Sequence, residues 1–455
     1  MHLKRVSAFL ILMCYIIMTG SIMSGCGNDA VSVLDISGDA IAQLNASDIT
    51  NGAVEPVYKA YVDAALTQAA QILSEGKDLP DEEAKKLLSG CQIETFLDTK
   101  VADNLARAVK NSEVADIPCG AAVTDNRGHL IACYSSDEKD EEGNYLNLST
   151  ERQAPYSTLK PLCVYAPAMD SGLLNWSSVY TDKPYKQIED ADGKMTDWPQ
   201  NANGSYSEKP VTVAQALRLS LNTIPVQILH DYGVNDAVKL MIDRFQMPLD
   251  YEYSKAVMSG EDEVIGNVAL GYTYAGLSPI ELAGYYSAFA AKGVYLAPSC
   301  VRKITNNNGE TLYEYTDDPV QVYSEETAYI MNKMLQTVAD TDGTGRQSYI
   351  EDAFVAGKTG TGNSNDGHWF VGTVPQYSCA VWHGGHTERN ASPAVFHDIM
   401  EELPRDPNAD YPWCDGIEEL AYCEESGKLA SGKCSKVNIG YYPANERIDL
   451  CREHQ

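Results

Sequence analysis

Basic side chains are scarce in this chain: 34 Lys+Arg stand against 64 Asp+Glu, a formal net charge of −30 at pH 7. A surface that acidic repels a phosphate backbone and offers no general cationic face to anionic lipid, which excludes nucleic acid as a partner. None of the 12 cysteines forms a Cys-x-x-Cys pair, so no zinc site is expected and neither metal nor other cofactor enters the reading. The 8 histidines show no pairing pattern, and His368 and His383 read as sheet-surface residues rather than bases. What the chain does have is 455 residues with 44% hydrophobic content, enough for one large domain or two to three ordinary ones around a proper core.

The first 26 residues differ from the rest. Lys4 and Arg5 precede an uncharged, mostly apolar run from Val6 to Met23, followed by Ser24-Gly25-Cys26. A basic start, an apolar stretch and small residues before a cleavage point form a secretory signal. Cysteine directly after Ser-Gly resembles a bacterial lipobox, with Met23 where Leu is commoner, which implies lipidation of Cys26 and a membrane-tethered protein. The competing reading is an uncleaved anchor, because the run is about long enough to span a bilayer. Both readings place the remainder outside the cytoplasm, on the outer face of the membrane.

Setting aside Cys14 and Cys26 leaves ten cysteines, four of them in the C-terminal tail: Cys414, Cys423, Cys434 and Cys451. Disulfides are plausible there in an oxidising compartment. Cys119 and Cys133 flank the turn Asp125-Asn126-Arg127-Gly128 and are candidates to face each other across a hairpin. Scattered buried thiols are the alternative for all of them.

Residues 27–90 read as a small, polar tether leading into a helical linker, 91–400 as the main domain, and 401–455 as an acidic, cysteine-bearing tail. Within the main domain, 118–134 alternates around a turn as a β-hairpin. Ser157 to Met169 reads as a short apolar helix with Pro161 in its first turn, where proline is tolerated. Thr212-Val213-Ala214-Gln215 and Ser278-Pro279-Ile280-Glu281 are capping boxes that open helices, and another helix starts near Ser324. Phe354-Val355-Ala356-Gly357 leads into Lys358-Thr359-Gly360-Thr361, which reads as a strand, followed by a polar loop and the hairpin pair His368–Gly372 and Cys379–Trp382.

Three short strings carry chemistry: Ser157-Thr158-Leu159-Lys160, Ser220-Leu221-Asn222 and Lys358-Thr359-Gly360. Each is weak by itself; their order and the elements that carry them are informative. Ser157 and Lys160, three apart on a helix, share one side. A serine hydroxyl needs a base, and Lys160 serves only if burial or a neighbouring cation such as Lys358 destabilises its ammonium. Ser220 can relay a proton to a leaving amine, and Asn222 can orient Lys160 or a substrate carbonyl. Thr359 and Thr361 offer hydroxyls beside Lys358 for a terminal carboxylate, with Gly360 permitting close approach of a substrate backbone. The backbone N–H groups of Ser157 and Thr361 are candidate oxyanion donors.

These strings and their surroundings resemble the transpeptidase domain of penicillin-binding proteins, especially the class A type. The likeness runs from about residue 54 to 400. It includes Ser157 through Pro161, Pro210 to Val226, Ala269-Leu270-Gly271 with Ser278 to Ala283, and Val355 to Thr361 followed by Trp369 to Gly372. The resemblance implies an α+β fold: an antiparallel sheet flanked by helices plus an all-helical subdomain. It also implies a serine acyl-enzyme that acts as D,D-transpeptidase or carboxypeptidase on D-Ala-D-Ala stem peptides of peptidoglycan and reacts with β-lactams. Ser157, Lys160, Ser220, Asn222 and Lys358 would be catalytic, and Thr359, Gly360 and Thr361 substrate-binding.

Two departures qualify the match. Tyr156 precedes the serine where class A proteins usually carry glycine, and the stretch between Cys26 and the hairpin is too short for a glycosyltransferase domain, so peptide cross-linking alone is expected. The alternatives are a non-catalytic penicillin sensor or structural cell-wall protein, and a β-lactamase. The last would use Glu263, in the string Glu263-Val264-Ile265-Gly266-Asn267, to hydrolyse the acyl-enzyme.

Overall fold

The computed structural model describes residues 29–45, 54–189, 192–248, 262–272, 275–362, 367–385, 387, 389–407 and 409–454. The signal-like segment, with the expected lipidation at Cys26, lies outside them. Among the described residues no helix is long and apolar enough to cross a membrane. The chain divides into two compact units, residues 1–97 with 300–315, and residues 98–299 with 316–455.

The first unit corrects the expected tether. Ala30–Leu34 and Ala40–Asn45 form an antiparallel pair, and Ala30–Leu34 runs parallel to Gln92–Thr95. Val301–Thr305 and Thr311–Glu314 complete a five-stranded sheet among the described residues. Val31, Val33, Ala42 and Leu44 are buried with period two. That alternation was present in the sequence but sat in strands of five and six residues separated by small polar residues, so averaged composition hid it. The helix Lys59–Ser74 supplies further apolar residues, with Tyr61, Ala65 and Ala69 buried.

The second unit holds an antiparallel sheet in the order Ala356–Thr361, Gly367–Val374, Tyr377–Gly384, Cys119–Asp125, Leu130–Ser135. Helices cover both faces. Phe370 meets Phe396 of the helix Ser392–Glu401. Ser378, paired with Thr373 and therefore on the opposite face from Phe370, donates to Ala283 O of the helix Pro279–Ala290 at 2.6 Å. A second cluster is all-helical: Thr223–Tyr232, Val234–Phe245 and Asp262–Leu270 gather around the segment that carries Ser157. This is the α+β arrangement the motifs implied.

Local signals mostly read true. Ser278 and Glu281 form a reciprocal capping box, and Ser324 caps the helix Glu325–Ala339. Thr212 makes only half of its expected box, accepting from Gln215 N. His368 and His383 are not surface residues. They are buried opposite each other on neighbouring strands, with ring centroids 4.8 Å apart. His383 Nε2 accepts from Ala391 N at 3.2 Å, just ahead of the helix Ser392–Glu401.

The expected pairing of Cys119 with Cys133 fails on register, and the alternative of scattered buried thiols describes the cysteines instead. Cys133 lies opposite Ala122, so Cys119 falls three positions away along the strand. All ten described cysteines are free thiols. The tail is more than an appendage, because Ile417–Cys423 and Val437–Pro443 form an antiparallel hairpin. Its Tyr441 packs on Trp176 at 5.2 Å between centroids.

Candidate active site

Ser157 begins a helical run whose pitch changes twice. Tyr156–Leu159 is a 3-10 turn, Pro161–Tyr165 a π segment and Ala166–Asp170 an α-helix. Pro161 has no N–H to return to the carbonyl one turn back, and the ladder resumes with Ala166 N bonded to Pro161 O. A 3-10 turn eclipses positions i and i+3, which aligns Ser157 with Lys160 more closely than an α-helix would. Of the N–H groups that open this turn, Tyr156 N donates to Gly271 O and Thr158 N to Pro155 O. Ser157 N has no backbone acceptor among the described residues. Its hydroxyl is half-buried, with no hydrogen bond to a described residue.

Close backbone approaches hold this turn in place. A Cβ on Gly271 would stand 1.8 Å from Tyr156 O, and Gly271 has φ +77°. A Cβ on Gly360 would stand 2.9 Å from Pro155 O and 3.0 Å from Thr158 Cγ2. The two glycines therefore let the Asp262–Leu270 helix end and the Lys358 strand close on the Ser157 turn. Tyr286 adds a hydrogen bond to Thr158 O at 2.6 Å, and Trp369 Nε1 one to Ala154 O at 2.9 Å.

Lys160 is fully buried. Its Nζ donates to Asn222 Oδ1 at 2.7 Å, Leu221 O at 3.0 Å and Ser220 O at 3.1 Å. Burial first, and the charge of Lys358 second, hold its ammonium well below the ordinary lysine range. Lys358 is equally buried and donates to Ser220 Oγ at 2.7 Å and Thr359 O at 3.1 Å; burial brings it down to about 7. No carboxylate neutralises either lysine among their hydrogen-bond partners.

Ser220 thus touches both lysines, one through its hydroxyl and one through its carbonyl. It lies between the helices Val213–Arg218 and Thr223–Tyr232 with φ +54°, a left-handed turn that costs a non-glycine residue about 1–3 kcal/mol. Tyr156, beside Ser157, has φ +49°. This is the physical sense of glycine at that position in the class A pattern: the backbone there is left-handed. The Tyr156 ring packs edge-on against Tyr272 at 5.5 Å.

Asn222 is the N-cap residue of the second helix, yet its side chain does not cap it. The amide instead bridges Lys160 and Gln200 O, the latter at 2.7 Å. Its backbone N–H donates to Asn201 Oδ1 at 2.8 Å. Asn201 in turn donates to buried Asp182 at 2.9 Å, and Thr223 Oγ1 reaches the same carboxylate oxygen at 2.7 Å. Burial raises the Asp182 pKa, but the bonds from Ser207, Asn201 and Thr223 outweigh it and hold the carboxyl below its usual value. Asp182, Asn201 and Gln200 were missed from sequence because they come from a separate segment with no motif of its own.

Lys358 to Thr361 occupy the edge strand of the sheet. Gly362 N donates to Gly367 O at 2.9 Å, so the next pair inward, Thr361 and His368, is a non-hydrogen-bonded pair. The Thr361 N–H therefore points to the open edge. Thr359 Oγ1 lies 2.9 Å from Thr344 Oγ1, and Asn390 fastens Gly360 O at 3.2 Å and Trp369 O at 2.9 Å. Glu263 falls in the helix Asp262–Leu270, but its side chain lies outside the described residues.

A penicillin binding protein transpeptidase domain model matches residues 119–401. Penicillin-binding protein 4 of Bacillus subtilis is 28% identical over 316 residues, covering 69% of this chain and 47% of the relative. Penicillin-binding protein 1A of Clostridium perfringens is 24% identical over 449 residues, covering 92% and 52%. The chain spans about half the length of these curated relatives. The D,D-transpeptidase domain of a peptidoglycan glycosyltransferase from Eggerthella lenta superposes with a TM-score of 0.60 at 18% identity, covering 82% of this chain and 97% of that one. An imipenem acyl-enzyme complex of penicillin-binding protein A from M. tuberculosis gives 0.62 at 14% identity, covering 82% and 98%. With the family model spanning well over half of its length, this chain belongs to the penicillin-binding protein transpeptidase family.

Proposed function

We propose that the protein is a serine D,D-acyltransferase outside the cytoplasm, acting on D-Ala-D-Ala stem peptides of peptidoglycan and acylated by β-lactams on Ser157. The observation that carries this reading is the buried Lys160, held by Asn222 and Ser220 and destabilised as a cation by burial and Lys358. A charged lysine has three donors, and here three acceptors receive them. The neutral amine has two donors and a lone pair. Losing one proton frees one contact and turns the lone pair towards the hydroxyl one 3-10 turn away.

In this scheme Lys160 takes the proton from Ser157 as Oγ attacks the penultimate D-Ala carbonyl. The oxyanion develops between the Ser157 and Thr361 N–H groups, neither committed to a neighbouring backbone group within its turn or strand. Ser220 relays a proton to the departing D-alanine amine, its hydroxyl proton being replaced from the Lys358 ammonium that donates to it. Lys358, Thr359 and Thr361 receive the terminal carboxylate, and an amine or water then resolves the ester. Lipidation of Cys26 would tether the enzyme to the outer face of the membrane.

Intact-mass analysis after incubation with benzylpenicillin tests the reading. A stable adduct on the wild type that disappears in Ser157→Ala is expected, together with D-alanine release from a D-Ala-D-Ala peptide. No adduct would refute the acyl-enzyme. A stable adduct without peptide turnover would favour a sensor, and rapid adduct loss dependent on Glu263 a β-lactamase. Mass analysis of the membrane-extracted protein checks for a diacylated Cys26 at the mature N-terminus.

A further inference from the structure

The expectation of no metal rested on the lack of Cys-x-x-Cys pairs, and folding brings together a set that pair spacing does not reveal. Cys423, Cys434, Cys451 and His454 each present a donor atom, and all four atoms lie within 4.8 Å of one another. Three chain segments meet there: the end of the hairpin strand Ile417–Cys423, the loop that returns towards Val437–Pro443, and the C-terminal stretch. The one sequence signal was Cys451-Arg452-Glu453-His454, a Cys-x-x-His spacing. The cluster lies outside the part matched by the transpeptidase family model, residues 119–401.

We propose that these four side chains form a structural zinc site, tetrahedral with three thiolates and one imidazole. Zinc–sulfur bonds of about 2.3 Å in a tetrahedron require sulfurs roughly 3.8 Å apart, a spacing this cluster accommodates. Cys423 Sγ already lies 3.3 Å from His454 Nε2. Cys423 and Cys451 are buried, and Cys434 and His454 half-buried. Disulfide pairing suits the set poorly, since any bridge among three thiols leaves one cysteine and the histidine unused. Ser431 donates its backbone N–H to Cys434 Sγ at 3.3 Å, a contact that offsets thiolate charge at a bound cation. Ligation through Nε2 exchanges the present contact of His454 with Glu425, at 3.3 Å, for the metal. Binding releases the three thiol protons to solvent and oxidises nothing.

The backbone supports the role. Cys423 N donates to Lys428 O and Gly427 N to Cys423 O, both at 2.8 Å, while Cys451 N donates to Leu429 O at 2.8 Å. These bonds fix the 423–429 turn and tie the Cys451 stretch to it beside the donors. Ile417, Tyr422 and Tyr442 are buried, but elsewhere the cover is thin: Val437 and Ile439 of the hairpin and Leu450 of the C-terminal stretch are 48%, 47% and 55% exposed. A small segment with so thin a core needs a staple, and metal-binding energy is folding energy in such modules. The staple also reaches the main body, where Ser177 Oγ donates to Gly427 O at 2.5 Å.

The test uses the full chain and needs nothing from the acylation chemistry. Elemental mass spectrometry of protein purified without chelator is expected to find about one zinc per chain, falling at least tenfold in Cys434→Ser and Cys451→Ser but not in Cys133→Ser. Cobalt reconstitution should give thiolate charge-transfer bands and the strong visible bands of a tetrahedral site. Should the variants fail to fold, alkylation of the wild type decides: three cysteines should be protected until a chelator is added. A zinc-free protein, a disulfide among Cys423, Cys434 and Cys451, or zinc retained in both variants would overturn the assignment.

Discussion

Lys358 Nζ donates to Ser220 Oγ at 2.7 Å while Lys160 Nζ donates to the carbonyl of the same residue at 3.1 Å. Two buried lysines thus share one serine, and on top of burial the charge of Lys358 makes Lys160 harder to protonate. The left-handed backbone at Ser220 is what allows hydroxyl and carbonyl to serve both.

This pairing has a pH consequence. Lys160 must be neutral to act as a base, and the Lys358 charge helps to hold its pKa well below the usual lysine range. Lys358→Gln removes that charge, so the Lys160 pKa rises and the acid limb of the acylation profile moves to higher pH. Acylation by benzylpenicillin at neutral pH should fall about 100-fold or more. An unchanged limb would show that Lys358 does not tune Lys160.

Gly271 tests how tightly the Ser157 turn is held. Gly271→Ala drives a Cβ into Tyr156 O and shifts Ser157, and a displacement of about 1 Å costs on the order of 100-fold in rate. Gly172→Ala is the control: φ is also positive, at +76°, but the added Cβ meets nothing within 4 Å. It should lose about 1 kcal/mol of stability with acylation kinetics unchanged. Equal kinetic losses in the two variants would remove the close approach as the cause.

At Tyr156 the backbone and the ring can be separated. Tyr156→Gly and Tyr156→Ala both lose the contact with Tyr272 and differ mainly in the cost of a left-handed φ. The glycine variant should be more stable by about 1 kcal/mol, read from paired thermal melts. An alanine variant of equal or greater stability would mean that φ is not left-handed in solution.

His383 makes stability fall in acid. Burial first, opposed by its bond to Gly384 and helped by the neighbouring His368, lowers its pKa from 6.5 to about 4. The unfolded chain takes up a proton as pH drops below 6.5, whereas the native state does so only near 4. The stabilising contribution is therefore complete above pH 6.5 and declines towards pH 4, by at most about 3 kcal/mol. The melting temperature of wild type should drop more steeply across this window than that of His383→Gln. Parallel curves would exclude the assignment.

Much of the site was legible before folding, because its signals are local. The Ser157–Lys160 spacing, the proline after Lys160, the cap at Ser278 and the glycines flanking Lys358 each follow from backbone conformation within a few residues. That local information determined the family, the α+β class and the identity of the chemical groups. Tertiary structure decided what those groups experience. Both lysines are depressed by burial, and Lys160 further by the charge of Lys358, 198 positions away in the sequence. Asp182 and Asn201 act on Lys160 only through Asn222, along a hydrogen-bond chain that crosses separate segments. The Cys423–Cys434–Cys451–His454 cluster is assembled the same way, and His368 and His383 are buried by helices that strand alternation could not foretell. Desolvation and long-range contact depend on the whole fold, which is why pattern named the groups and only packing set their properties.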